Sequence, residues 1–301
     1  MPKRLRVYLK EMYPVLPRLG LAAVLFFEIY FLVLLTNQTQ IGPIRLGWQE
    51  AVGTLTIFAF LLTLRIADDF KDFHSDQRLF PDRALPSGRV HRLDLAVLLA
   101  AVDLPVIGLN VALMNNLAWF AFLAVYGTAM SLWFFAKAKI QPSLPLALIT
   151  HNPVQIVMNL YVISFACHKY DVPLITLPNA AIALTLYFPG LIWEIARKIR
   201  APEDETEYTT YSKLFGVRRP VLFILGVMAA DLATTSYLVW KLYPWAVIAV
   251  AGAYAWLVWQ SLRFIRRPQA FALVSRVQWY EYAAEGTVVA LIAAHLAGWG
   301  T

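Results

Sequence analysis

Four aspartates, Asp68, Asp69, Asp72 and Asp76, follow directly on a stretch, 47–64, whose one charge is Glu50. Asp68, Asp72 and Asp76 stand at i, i+4 and i+8, one stripe of a helix. Carboxylates so close repel one another, so a positive partner is expected among them. Arg65, Lys71 and Arg78 offer the plainer account, a solvated helix end with its acids balanced. The turn Arg83-Ala84-Leu85-Pro86-Ser87-Gly88 that follows, together with four acids at this spacing, favours a metal site.

A second acid-and-base stretch reads WEIARKIRAPEDETEYTTYSKLFG at 193–216, and the two windows 68–76 and 194–207 hold nine of the 19 acidic residues. Glu194 and Lys198 are spaced i, i+4, and Pro202 is expected to end the helix before Glu203, Asp204 and Glu205. Lys137 and Lys139 close an apolar run. His151, Asn152 and Gln155 interrupt another. Polar groups inside an apolar run are costly unless they face a cavity or each other. These three therefore either line a chamber or bond one helix to the next. Asp103, Asp231 and Glu28 are read as helix-packing groups.

The elements that must position these residues are membrane spans. The chain of 301 residues is 59% hydrophobic and 15% charged, with a mean hydropathy of +0.58, far from a soluble domain. Apolar runs at 19–36, 47–66, 93–113, 117–136, 146–168, 176–196, 219–239, 243–262 and 280–299 are each close to the ~20 residues a spanning helix needs. The expected fold is an all-α integral membrane protein of nine transmembrane helices. Asp68 and Glu194 are separated by four such helices, so two four-helix halves plus a ninth helix around a central cavity fit the spacing. The whole chain is expected to form one transmembrane domain. With the N-terminus cytoplasmic, 23 of the 26 Lys and Arg fall on the inner side and Arg45, Lys169 and Lys241 on the outer, a strong positive-inside signal. Both acidic loops then lie on the cytoplasmic side and the C-terminus on the opposite one. The net charge of +7 is thus topological, which argues against nucleic acid as a partner. Residues 1–18, with Lys3, Arg4, Arg6, Lys10 and Arg18 among apolar neighbours, are expected to lie along the anionic leaflet, with membrane lipid as the partner. A single cysteine, Cys167, excludes an internal disulfide.

The Asp68-Asp69-x-x-Asp72-x-x-x-Asp76 pattern with the Arg83–Gly88 turn resembles the first signature of the UbiA superfamily of intramembrane prenyltransferases. The span count and the loops after the second and sixth helices match it along essentially the whole chain. The resemblance implies Mg²⁺-dependent transfer of an isoprenoid chain from a prenyl diphosphate to a small lipophilic, membrane-associated acceptor of aromatic type. Asp68, Asp69, Asp72 and Asp76 become the catalytic acids, with Asp68, Asp72 and Asp76 as metal ligands. Arg83, Lys137, Lys139, Arg197, Lys198 and Arg200 become diphosphate contacts. Tyr126, His151, Asn152 and Gln155 become pocket residues, with Trp133, Phe134 and Tyr187 as further aromatic lining. The metal supplies positive charge where a leaving diphosphate develops negative charge.

This chain departs from the family pattern twice. Asp68 stands where the family usually has Asn, adding a negative charge. In the second motif a DxxxD pair is usual, and here one of the two acids is the base Lys198. A second metal therefore either rests on Glu194 with Glu203, Asp204 or Glu205, in a shifted register, or is replaced by Lys198 with Arg197 or Arg200 gripping phosphate directly. Two further functions use the same residues: an intramembrane terpene cyclase, in which the cation closes on its own chain, and a non-catalytic lipid-binding or transport relative.

Overall fold

The computed structural model describes residues 1–298, with Lys241 described in its backbone only. The described residues form helices, turns and loops, with no strand. They pack as two compact units, 1–27 with 43–137 and 28–42 with 138–298.

In the first unit α1 (Pro2–Glu11) precedes α2 (Val15–Thr36), whose first half belongs here. Next come α3 (Trp48–Lys71), α4 (Phe73–Leu79), α5 (Arg92–Leu113) and α6 (Leu117–Ser131). Helix α3 is the centre of this unit, with α5 and α6 against it. Glycines set two close approaches. A methyl group added at Gly53 would overlap the Phe26 ring of α2, and one at Gly127 would overlap Phe60. Near the charged end of α3, Tyr8, Leu62, Ile66, Ala84, Leu85, Val90 and Leu95 make one buried cluster. That cluster anchors the Arg83–Gly88 turn: Ser87 N–H bonds to Arg83 C=O at 3.0 Å, and Gly88 turns the chain at φ 74°, a conformation open to glycine without steric cost.

The short α7 (Lys137–Ile140) leads into the second unit, which continues as α8 (Leu144–His151), α9 (Val154–Tyr170), α10 (Leu177–Thr185), α11 (Tyr187–Ala196), α12 (Tyr211–Phe215), α13 (Arg218–Leu242), α14 (Val247–Arg266) and α15 (Leu273–Leu296). Helix α13 is its hub: α10, α11 and α14 pack on it, and α15 packs on α14 and α11. Thr176 and Thr210 cap α10 and α12, their hydroxyls accepting from Asn179 N–H and Lys213 N–H, which satisfies backbone donors the helix leaves orphaned.

Among the described residues seven segments are long and apolar enough to cross a membrane: Val15–Thr36, Trp48–Lys71, Arg92–Leu113, Leu144–Tyr170, Leu177–Ala196, Arg218–Trp240 and Pro244–Arg266. The protein is a multi-pass membrane protein, and seven of the nine expected spans meet that test of length and composition among the described residues. The run expected at 117–136 ends as a helix at Ser131 and so has 15 residues. Helix α15 has the length, but it carries Arg276, Glu281 and Glu285. Residue 299, the last of the expected ninth span, lies outside the described residues. Proline explains two further divisions. Pro153 stands where an expected span splits into α8 and α9, and Pro189, the third residue of α11, lacks the N–H that would donate back to Thr185 across the split between α10 and α11.

Inside the spans, polar side chains pair from helix to helix, as expected of Asp103 and Asp231. Thr63 on α3 donates to Asp103 on α5 at 3.0 Å. Tyr280 on α15 donates to Asp231 on α13. Glu28 meets Glu285.

Candidate active site

Helix α3 ends at Asp72, and the chain turns at once into α4. The four aspartates sit on this junction, and the fold gives them different jobs. Asp68 is 51% exposed along its side chain, with Lys71 Nζ 3.4 Å from its Oδ1. Asp72 is exposed as well. What burial its carboxylate has, followed by the negative charge of Asp68, raises its pKa above the ordinary carboxylate value, against the pull of Lys71. Asp69 is 4% exposed, and both its oxygens are taken: Oδ2 accepts from the Tyr8 hydroxyl and Oδ1 from Arg65, each at 2.6 Å. Asp76 is 6% exposed and bound by Arg83 at 2.7 Å. Asp76, expected among the metal ligands, is thus buried with Arg83 as its partner. The turn into α4 swings it away from the stripe of α3, and burial beside a guanidinium gives it a fixed partner.

Among the described residues no three acidic, histidine or cysteine side chains converge as a metal cage. Magnesium does not need one, since it is commonly held by one or two carboxylates with phosphate oxygens and water completing its octahedron. Asp68 and Asp72, adjacent on the helix surface and exposed, fit that role. Asp69 and Asp76 are buried and differ from that pair: both Asp69 oxygens accept, from Tyr8 and Arg65, and Oδ2 of Asp76 accepts from Arg83.

Beside Asp68 the same Lys71 ammonium lies 4.6 Å from the centre of the Trp133 ring. Trp133, Phe134 and Phe135 all have positive φ, at 55°, 47° and 57°. Each such non-glycine residue costs on the order of 1–3 kcal/mol, and strain of this kind tends to be kept at functional sites. Tyr126, expected in the pocket, meets Phe134 edge to face at 5.5 Å. Arg83, expected to grip phosphate, instead bridges to Asp76 and lies 3.9 Å from the centre of the Phe80 ring. Lys137 is exposed.

In the second unit α11 ends at Ala196, before Pro202, so Lys198 stands in a tight turn rather than on the helix. Its ammonium still reaches Glu194 Oε1 at 2.9 Å, and Arg197 adds two bonds to Glu194 at 2.5 and 2.9 Å. Arg200 bonds to the Thr206 hydroxyl at 3.1 Å. Asp204 is exposed on a short 3₁₀ turn. Glu205 accepts from Thr210 and Ser212. Glu194, already facing two cations, is a poor metal ligand. Lys139 is exposed.

The polar group of α8 and α9 divides. Gln155 donates to Asn159 at 2.9 Å, and Asn159 donates to the Ala183 carbonyl of α10 at 2.8 Å, so these bond helix to helix. His151 Nδ1 lies 2.9 Å from the Thr150 hydroxyl, and Asn152 starts the turn before Pro153. Tyr187, expected among the aromatic lining, opens α11 half-buried beside Phe188. The α1 contact to Asp69 is what sequence reasoning missed, because Tyr8 and Asp69 lie 61 positions apart and nothing in either segment announces the other.

The sequence matches no protein-family model and no curated protein. A solved structure of digeranylgeranylglyceryl phosphate synthase, described in membranes, superposes with a TM-score of 0.65 over 97% of this chain and 98% of that one, at 13% identity. The chain shares that fold along 97% of its length.

Proposed function

We propose that the protein is a membrane prenyltransferase that moves an isoprenoid chain from a prenyl diphosphate to a small lipophilic acceptor. The observation that carries this reading is the pair of exposed carboxylates, Asp68 and Asp72, at the end of an apolar helix whose other two aspartates are neutralised within the fold. Mg²⁺ bound there supplies charge to a leaving diphosphate. Within the second unit Lys198, with Arg197 or Arg200, is the candidate phosphate clamp that replaces a second metal, and Lys137 and Lys139 are further candidate diphosphate contacts. The strained aromatic turn Trp133–Phe135 with Tyr126 offers ring faces that favour a cation. His151 and Asn152 are assigned to the acceptor side. The N-terminus and the charged loops are assigned to the cytoplasmic face.

The fold neighbour's name suggests an acceptor to try beside aromatic ones, a geranylgeranylglyceryl phosphate. The decisive experiment incubates purified protein with labelled prenyl diphosphates and Mg²⁺, with and without these acceptors. Labelled product that forms only with acceptor supports the proposal. Diphosphate release without acceptor points to a terpene cyclase, and no release under any condition to a non-catalytic relative.

A further inference from the structure

Helix α1 is held at three points along one face. Arg4 bonds twice to Asp94 of α5, at 2.6 and 2.8 Å. Tyr8 donates to Asp69 of α3 at 2.6 Å. Glu11 takes two bonds from Arg89, at 2.5 and 2.8 Å. Positions 4, 8 and 11 share a helix face, whereas Lys3, Arg6 and Lys10 are exposed. The Tyr8 ring is fully buried in the cluster with Leu62, Ile66 and Leu85, so its hydroxyl is delivered to Asp69 by packing.

Asp69 follows Asp68 and precedes Asp72 on the last turn of α3, where Asp72 N–H bonds to Asp68 C=O at 2.9 Å and the chain then turns into α4. Four carboxylates there push one another apart. A fixed bond at Asp69, made from the phenol on one side and Arg65 on the other, settles the rotation of that turn. It therefore settles where its neighbours Asp68 and Asp72 project.

We propose that Tyr8 is a positioning residue: by holding Asp69 it sets the direction in which Asp68 and Asp72 are presented to a divalent cation. The inference rests on the metal reading of those two acids. It assigns α1 a part in the site as well as at the membrane surface.

The test is Mn²⁺ binding to the purified full-length protein, read from the electron paramagnetic resonance signal of free Mn²⁺, with no substrate present. Tyr8→Phe keeps the ring and its packing. It is expected to bind Mn²⁺ at least about tenfold more weakly, the lower end of what one hydrogen bond to a charged group contributes. Asp69→Asn should match it, and the double variant should be no weaker than either single one. Glu11→Gln, which loosens the exposed end of α1, should stay within about twofold of the parent. Amide exchange across 66–79 should quicken in Tyr8→Phe and not in Glu11→Gln. Unchanged Mn²⁺ binding in Tyr8→Phe overturns the positioning role and leaves the metal reading standing. Equal weakening in Glu11→Gln also overturns it, since general docking of α1 would then be the cause. A parent protein that binds no Mn²⁺ removes the metal reading and the inference together.

Discussion

Lys198 Nζ stands 2.9 Å from Glu194 Oε1, on the carboxylate that Arg197 also grips. Two cations on one acid leave net positive charge at the head of the 197–216 loop. That is the wrong sign for a metal cage and the right one for phosphate. On the proposed function, Lys198 is a fixed cation at a position where the resembled pattern has a second carboxylate.

Alanine variants compared side by side test that exchange. Lys198→Ala should lower kcat/KM by about a hundredfold, the scale of losing one preorganised donor to developing charge, while Asp204→Ala should be nearly silent. Mg²⁺ dependence of the parent should fit a single binding event. The reverse ranking, with Asp204→Ala as damaging as Asp72→Ala, would establish a shifted two-metal site.

The four aspartates should separate into two behaviours. Asp72→Ala should abolish turnover yet leave thermal unfolding unchanged or slightly raised, since it relieves like-charge repulsion. Asp76→Ala strands the Arg83 guanidinium and should lose stability by about 1.5–3 kcal/mol. Melting curves in detergent, read beside turnover, distinguish them. Equal stability of both variants would mean that Asp76 is not the structural partner it is here.

Docking of α1 should depend on pH in the acid range. Arg89 holds the Glu11 carboxylate below its ordinary value of 4.5. A depressed acid stabilises the fold above its unfolded pKa, and that contribution is lost as pH falls through the lowered folded value. Exchange of the α1 amides should therefore be flat from pH 7 down to the carboxylate range, after correction for intrinsic rates, and rise below it. In Glu11→Gln that acid step should be absent or much reduced.

Gly53→Ala should destabilise the first unit by about 1–3 kcal/mol, the usual cost of overpacking a filled site, because the added methyl group meets the Phe26 ring. Phe26→Leu in the same chain should recover part of the loss, and a neutral Gly53→Ala would show that α2 moves aside freely.

The sequence by itself determined the class of protein. Apolar runs of spanning length, the one-sided distribution of Lys and Arg, and the stripe of aspartates are local or additive features, set by hydration and helix geometry alone. Tertiary structure decided which acids are available for chemistry. Asp68, Asp69, Asp72 and Asp76 look alike in the sequence, yet Tyr8, 61 positions from Asp69, and Arg83, on a turn anchored by Leu85, neutralise two of them and leave two. It also decided that α6 stops at Ser131 and that Lys198 leaves the helix while keeping Glu194. Those outcomes depend on which surfaces meet in three dimensions, where burial makes an unpaired charge costly, and spacing along the chain does not encode that.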